Sequence, residues 1–170
     1  MITITDKSKV SELMDVLDKL NGTRVEVGVL SSEQDSEMVM IASVHEYGVV
    51  IDVTPKMRAY LHHIGIHLKK ETSQITIPER SYIRTTYDEK QEELYSLIKA
   101  YLPQVINLKM TPETFYGRIG AYLVGQIQKK LTDIREPANH PVTVERKGSS
   151  NPLIDSGHLR RSITWRVVSG

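Results

Sequence analysis

An apolar stripe with helical spacing lies near the N-terminus of the chain. Its five members recur at intervals of three and four residues: Val10, Leu13, Met14, Leu17 and Leu20. This spacing predicts an amphipathic helix, with Thr5 or Asp6 as its N-cap and Asn21-Gly22 as a left-handed stop. Valines at alternate positions of residues 23–30 then predict a half-buried strand. We expect a polar loop over residues 31–36.

Shorter helices and strands alternate through the middle of the chain. A second helical stripe over residues 36–48 ends in glycine, and the β-branched residues 49–53 predict a strand. Thr54-Pro55 has the residue types of an N-cap and a first helical position, and Gly65 is the predicted stop of that helix. Apolar residues at alternate positions then predict a β-hairpin over residues 66–77.

Two longer helical stripes follow. The first is formed by five residues: Tyr87, Leu94, Leu97, Ile98 and Tyr101. Pro103 is its predicted end, and Thr111-Pro112 is the predicted start of the second helix, which ends near Leu131. Three glycines lie inside the second helix, at positions 117, 120 and 125. Because each costs about 1 kcal/mol relative to alanine in a helix, we expect a neighbouring element to approach the backbone closely there.

Periodicity disappears between residues 132 and 152. This stretch contains three prolines and the run Lys147-Gly-Ser-Ser-Asn, which predict a long irregular loop. Such a loop can serve as an arm that reaches a neighbouring subunit. A short helix over residues 158–162 and a strand over 164–168 follow it. The order of elements indicates a single α+β domain over residues 1–170, with helices packed on one face of a mostly antiparallel sheet.

Charge is distributed unevenly, although the formal net charge is only +1. Residues 1–54 contain four Lys/Arg and ten Asp/Glu, whereas residues 55–170 contain eighteen Lys/Arg and eleven Asp/Glu. A protein that is acidic in one part and basic in another can associate head to tail, which is the contact type that closes rings. A simple scatter of charges is the alternative interpretation.

Composition narrows the class of protein. The hydrophobic fraction of 39% and the charged fraction of 25% are those of a globular domain rather than a disordered chain. The absence of cysteine excludes disulfides and thiolate chemistry. No apolar run approaches membrane-spanning length, and the first ten residues lack the shape of a signal peptide. We therefore expect a chain that acts in a cytoplasm, or in a particle assembled there, without a membrane partner.

The strongest enzymatic signal is the segment Leu153-Ile-Asp-Ser-Gly157. Two apolar residues before Asp-Ser-Gly resemble the active-site loop of aspartic proteases, in which two carboxylates share a proton. Only thirteen residues follow Gly157, too few for the remaining strands of such a fold. The simpler interpretation is that Asp155 or Ser156 caps the following helix. A dimeric aspartic hydrolase, in which each subunit supplies one Asp155, remains one alternative.

Metal and nucleic-acid sites are two further possibilities. His63, His67 and Glu71 would share a face of an unbroken helix, but Gly65 is expected to break that helix, so we predict no metal site. Basic and aromatic residues gather towards the C-terminus: Arg146, Lys147, His158, Arg160, Arg161, Trp165 and Arg166. This patch could contact phosphate groups. Because arginine is also enriched at protein interfaces, protein contact is the preferred interpretation and nucleic-acid binding the alternative.

Three segments, taken in chain order, carry a resemblance to a known family. They are Val25-Glu-Val-Gly-Val-Leu30 with Ile41-Ala-Ser-Val-His-Glu-Tyr-Gly48, then Ile77-Pro-Glu-Arg-Ser-Tyr-Ile-Arg84, then Pro152-Leu-Ile-Asp-Ser-Gly-His-Leu-Arg-Arg-Ser-Ile163. Together they resemble the virion-morphogenesis, or tail-completion, proteins of tailed double-stranded-DNA bacteriophages. The resemblance frames residues 23–84 and 150–168, while residues 85–131 match only in general character.

The resemblance implies a structural protein of the virion rather than an enzyme, with no catalytic, metal or cofactor site. It implies a homo-oligomeric ring in the neck between head and tail, assembled in the host cytoplasm. The implied partners are the portal-side connector and the tail terminator or tail tube, with packaged DNA close by. We predict that ten residues contact partners: Glu46, Tyr47, Arg80, Arg84, Arg146, Lys147, Asp155, His158, Arg160 and Arg161. Arg80 and Arg84 are expected to pair with carboxylates, either in this chain or in another subunit.

Overall fold

The computed structural model describes residues 8–30 and 36–169. Within these ranges the helices are α1 Val10–Gly22, α2 Ser36–Tyr47, α3 Pro55–His63, α4 Arg84–Ile106, α5 Pro112–Asp133, α6 Pro141–Lys147 and α7 His158–Ser162. The strands are β1 Thr23–Val29, β2 Val49–Asp52, β3 Gln74–Ile77 and β4 Ile163–Ser169. The predicted cap at Thr5 or Asp6 and all but the last residue of the loop over 31–36 lie outside the described residues.

The α+β class is confirmed, but the described strands form two small antiparallel sheets instead of one. β1 pairs with β4 along seven positions, from Thr23 opposite Ser169 to Val29 opposite Ile163. β2 pairs with β3 along four positions, from Val49 opposite Ile77 to Asp52 opposite Gln74. The first sheet therefore pairs the first and last described strands, whereas both strands of the second sheet lie between α2 and α4 in the sequence.

Helix α5 lies against the β1–β4 sheet at two of its glycines. A Cβ atom at Gly120 would lie 2.8 Å from Cγ of Trp165 and 2.9 Å from Cγ2 of Val25. A Cβ atom at Gly117 would lie 3.1 Å from the Trp165 ring. The predicted close approach is confirmed at these two positions. It is wrong for Gly125, where an added Cβ atom would meet no other atom of the described residues within 4 Å.

The buried side chains form two clusters, one that includes residues of the C-terminal half of α5 and one that includes residues of its N-terminal half. The first contains Ala42, Tyr82, Ile127, Leu131, Leu153, Leu159 and Ile163. The second contains Leu94, Val105, Met110, Phe115 and Ile119, with Val16 and Leu20 of α1 packed against it. The first cluster joins α2, α5 and the C-terminal elements, so it determines where the third sequence segment lies.

Local sequence signals locate several helix ends correctly. The hydroxyls of Thr54 and Thr111 accept hydrogen bonds from the backbone N–H of Met57 at 3.1 Å and of Thr114 at 3.2 Å, as expected of N-caps. Gly48 and Gly65 end their helices with positive φ, at 70° and 84°.

Two predicted helix ends are wrong. Gly22 is not left-handed, because α1 passes directly into β1 through an extended Thr23. Pro103 lies inside the last turn of α4, where the missing N–H costs only one hydrogen bond. The carbonyl oxygen of Pro103 accepts hydrogen bonds from the backbone and side-chain nitrogens of Asn107, which ends the helix instead.

The predicted hairpin over residues 66–77 is also wrong. Only β3 is a strand, and its partner is β2 rather than residues 66–68. The guanidinium of Arg58 donates hydrogen bonds to the carbonyl oxygens of Leu68, Lys69 and Thr72, so that segment satisfies its backbone without strand pairing. No helix within the described ranges is long and apolar enough to cross a membrane.

Candidate functional site

The three segments that carry the family resemblance meet in one place, which we call the motif junction (residues 45–48, 78–84 and 152–163). The backbone N–H of Arg80 donates to the carbonyl oxygen of His45 at 2.8 Å. Tyr82 is fully buried in the first cluster, together with Leu159 and Ile163. Segments separated by tens of residues in the sequence therefore form a single packed unit.

Glu46 is the buried centre of the motif junction. Its residue exposure is 3%, yet it lies on α2, far in sequence from the groups that it binds. Its carboxylate accepts hydrogen bonds of 2.9 Å from the backbone N–H groups of Tyr82, Ile83 and Arg84. These are N–H groups at the start of α4 that have no partner within the helix, so Glu46 caps α4 from a separate element.

The electrostatic environment keeps Glu46 ionised. Burial by itself raises the pKa of its carboxyl group, but the hydroxyl of Ser81 and the three backbone N–H groups outweigh burial and lower the pKa below 4.5. The Ser81 hydroxyl donates to Oε1 of Glu46 at 2.6 Å. A buried carboxylate with this many donors is a structural anchor whose charge is fully compensated.

Arg84 covers the solvent-facing side of the Glu46 carboxylate. Its Nε atom lies 3.2 Å from Oε1 of Glu46, and its Nη2 atom lies 2.7 Å from Oε1 of Glu79. Its guanidinium also stacks on the ring of Tyr47, at 4.5 Å from the ring centroid. The carboxylates with which Arg84 was expected to pair are present in its own chain.

Arg80 has a similar role towards a different segment. It is 4% exposed and donates to the carbonyl oxygens of Pro137 and Ala138, at 2.6 and 3.3 Å, and to Oδ1 of Asn139 at 3.1 Å. The acceptors that Arg80 finds among the described residues are therefore backbone and amide oxygens, and its pairing with a carboxylate of another subunit stays a prediction. Arg80 holds the segment that follows α5 against the motif junction.

The predicted irregular loop over residues 132–152 is shorter than expected and folds back on its own chain. Helix α5 continues to Asp133, and α6 occupies seven residues of the stretch. Nζ of Lys147 donates to the carbonyl oxygens of Asn151 and Pro152 at 3.0 and 3.2 Å, and burial lowers its pKa. Nδ2 of Asn151 donates to the carbonyl oxygen of Thr132 at 2.9 Å. These bonds hold the segment in place, which is not the arrangement of an extended arm.

A cleft of about 290 Å³ opens between α2, α6 and residues 152–159. Met38 and Ile41 line it on one side, and Asp155 and His158 line it on the other. His45 lies at its wall, where Nδ1 is buried without a hydrogen-bond partner in the described residues. Burial lowers the pKa of His45, and the nearby Arg80 and Lys147 cations lower it further.

The predicted contact residues near the C-terminus remain at the surface. Asp155, His158, Arg160 and Arg161 are all exposed. The N-cap of α7 is Gly157, with φ +76°, so Asp155 is not the cap. The Ser156 hydroxyl instead accepts a hydrogen bond from the backbone N–H of His158, at 3.3 Å. Arg146 is exposed in the last turn of α6.

The geometry gives little support to the chemical alternatives. Asp155 is the one carboxylate among the described residues that line the cleft, so the pair that an aspartic protease needs would require the Asp155 of a second copy. No group of three metal-ligating side chains occurs among the described residues. Two members of the basic C-terminal patch are engaged elsewhere. Arg166 pairs with Glu26 at 2.7 Å, and Trp165 packs against the glycines of α5.

Of the ten predicted contact residues, the structure brings Glu46, Arg80, Arg84 and Lys147 into intramolecular bonds, and all six of the others are exposed. The sequence did not reveal Ser81, Asn139 and Asn151 as members of these networks. The only local signal was their short polar side chains next to loops, which are common everywhere. Comparisons with protein-family models, curated proteins and solved structures found no match to this chain.

Proposed function

We propose that this protein is a structural component of a tailed double-stranded-DNA bacteriophage, acting in head–tail joining or tail completion as a subunit of a neck ring. The observation that carries the proposal is the motif junction. The first two segments on which the family resemblance depends make direct hydrogen bonds to each other, and all three segments share one buried cluster. A set of short motifs that is jointly required for one packed unit is a stronger sign of a shared fold than three separate motifs.

The use of the charged residues supports a structural role. Glu46 and Arg80, buried charges of the kind often found in active sites, are saturated by backbone and side-chain groups of the same chain. A catalytic acid or base must instead present its reactive atom to a substrate. The buried charges therefore serve to fix the positions of α4 and of the segment after α5.

The exposed members of the predicted contact set are the proposed binding surface. Tyr47, Asp155, His158, Arg160 and Arg161 remain accessible at the edge of the motif junction. Their proposed partners are neighbouring copies of this chain and the adjoining virion proteins, which are the portal-side connector and the tail terminator or tail tube. Arginine and tyrosine are among the side chains enriched in such interfaces.

Deletion of the gene from the genome that encodes it tests the proposal. Infected cells should accumulate filled heads and separate tails, and expression of the wild-type chain from a plasmid should restore joined particles. Normal yields of infectious particles without the chain would contradict a role in head–tail joining. Mass spectrometry of purified wild-type particles should detect peptides of this chain.

The same system separates the proposal from the hydrolase alternative. Expression of the Asp155→Glu variant should restore joined particles, because the variant keeps the negative charge at an exposed position and Asp155 does not cap α7. A protease that depends on this residue would lose its activity and fail to complement. Failure of Asp155→Glu, with wild-type amounts of folded protein in the cells, would favour the hydrolase.

A further inference from the structure

Helix α1 has an apolar face that is wider than the surface on which it packs. Val16 and Leu20 pack against the second buried cluster. Val10, Met14 and Leu17, at the spacing of one helical face, are instead 59%, 60% and 43% exposed. We call these three residues the α1 stripe. Exposed apolar side chains aligned along a helix are typical of a surface that another helix covers.

A second exposed helical face lies on α3. Lys56, Ala59, Tyr60 and His63 follow the i, i+3, i+4, i+7 spacing, and all four are exposed. Tyr60 is 61% exposed, and no residue of α3 is buried. We call these four residues the α3 face. The small side chain of Ala59 beside a tyrosine leaves room for a side chain of another helix to enter.

The charges around the two surfaces are complementary. Helix α1 carries three carboxylates, Glu12, Asp15 and Asp18, and a single cation, Lys19. The segment over residues 49–77, which contains β2, α3 and β3, has four Lys/Arg and two Asp/Glu. Asp18 follows Met14 by one turn and borders the α1 stripe, while Lys56 belongs to the α3 face. A pairing of two α1 helices would instead bring carboxylate-rich surfaces together, which is unfavourable.

We propose that the α1 stripe of one copy docks onto the α3 face of a second copy. Among the described residues α1 packs on α4, α5 and β1, and its stripe remains exposed. Because the two surfaces differ, the contact is heterologous, and repetition of it with the right rotation closes a ring. This inference deepens the proposed function, on which it rests, by naming the surfaces through which the ring forms.

Two substitutions at exposed positions test the contact. Met14→Glu places a carboxylate in the α1 stripe, and Ala59→Glu places one in the α3 face. Each should raise the apparent dissociation constant of self-association by roughly a hundredfold, since an unpaired charge is buried in the contact. Met40→Glu and Ala121→Glu are the matched controls, because both residues are exposed in other helices. Analytical ultracentrifugation of the full chain measures the association, and circular dichroism verifies folding.

Mixing the two variants distinguishes a heterologous contact from other modes of association. Each variant retains one intact surface, so an equimolar mixture should form heterodimers and nothing larger, while each variant alone stays monomeric. Wild-type assembly by either variant would overturn the inference, as would a wild-type chain that is monomeric at its highest soluble concentration. If only Met14→Glu blocks assembly, the contact pairs α1 with α1 and the inference is wrong. The proposed function fails separately, if the chain is missing from purified particles.

Discussion

Glu46 is the residue on which the start of α4 most depends. A carboxylate buried among three backbone N–H groups, a hydroxyl and a guanidinium satisfies donors that would otherwise be costly to bury. The same residue connects the first sequence segment to the second. Its partners lie 35 to 38 residues away along the chain. At the residue scale, therefore, a few polar contacts join the first two segments, in addition to the buried apolar cluster that both share with the third.

Replacement of Glu46 by glutamine should lower the free energy of unfolding by about 2–4 kcal/mol. The amide keeps the shape of the side chain but loses the charge and directs an N–H₂ group at backbone donors. Glu79→Gln is the control, because Glu79 contacts the same arginine from an exposed position and should leave stability close to wild type. Urea denaturation of the three proteins provides the comparison, and equal losses for the two variants would contradict the assigned role of Glu46.

His45 should make stability depend on pH. Its pKa in the folded protein lies below the ordinary value of 6.5 because of burial and the Arg80 and Lys147 cations. The unfolded chain therefore takes up a proton first, and stability should be constant with respect to this group above pH 6.5. It should fall as the pH decreases below 6.5 towards the lowered pKa. Urea denaturation at pH 7.5 and pH 5.5 should show this loss, and His45→Gln should reduce it. An unchanged loss in the variant would contradict the prediction.

Tyr82 and Tyr116 should respond in opposite ways to removal of the hydroxyl. The hydroxyl of Tyr82 is buried without a hydrogen-bond partner in the described residues, whereas that of Tyr116 donates to the carbonyl oxygen of Leu20 at 2.9 Å. Tyr82→Phe should leave the free energy of unfolding unchanged or raise it by up to about 1 kcal/mol. Tyr116→Phe should lower it by about 1 kcal/mol. If thermal or urea unfolding shows that Tyr82→Phe lowers the free energy of unfolding instead, the Tyr82 hydroxyl has a hydrogen-bond partner and the prediction is wrong.

At the scale of elements, α5 organises the molecule because both buried clusters and the β1–β4 sheet pack on it. Gly120 brings its backbone against Trp165 of β4 and Val25 of β1. This contact joins β1 and β4, the first and last described strands, to α5. Gly117 and Gly120 thus lower the helix propensity of α5 in exchange for close packing.

A pair of glycine substitutions within α5 tests that explanation. Gly120→Ala should lower the free energy of unfolding by about 1–3 kcal/mol, because the new Cβ would overlap Trp165 and Val25. Gly125→Ala should raise it by about 0.5–1 kcal/mol, since that position is open and alanine is the better helix former. Thermal unfolding of both variants, followed by circular dichroism, measures the two shifts. Stabilisation by Gly120→Ala would show that the sheet does not approach α5 so closely.

Elements whose signals lie within a few residues could be predicted from the sequence. Thr54 and Thr111 cap their helices, and apolar periodicity located α2, α4 and α5. The pairing of β1 with β4 could not be predicted, because partners such as Glu26 and Arg166 are 140 residues apart. The hairpin prediction failed for a related reason. Arg58 satisfies the backbone of residues 68–72 from a separate helix, which removes the need for a strand.

The candidate site was predictable only in part. The sequence marked Glu46, Arg80 and Arg84 as special, but as contacts to other molecules. It could not show that they bond within the chain, since that depends on which distant segments the fold brings together. The exposure of Asp155, Arg160 and Arg161 agrees with the surface position that a contact role requires.

For the whole molecule, the uneven distribution of charge along the sequence corresponds to two different surfaces. The carboxylates of α1 belong to the acidic N-terminal part, and the cations around α3 belong to the basic remainder. If these two surfaces meet in the assembly, self-association should weaken as salt is raised, because exposed charges are screened at separations beyond about 8 Å in 0.15 M salt. Sedimentation at low and high sodium chloride measures this. Assembly that is equal or stronger at high salt would show that charge complementarity contributes little.

Cryo-electron microscopy of tailed particles produced by the encoding genome tests the central claim most directly. We expect a ring of density between portal and tail that fits this α+β domain, with α1 of each copy beside α3 of its neighbour. Peptides of the chain should be present in the same particles. A neck whose density is fully explained by other proteins, in particles that lack this chain, would contradict the account.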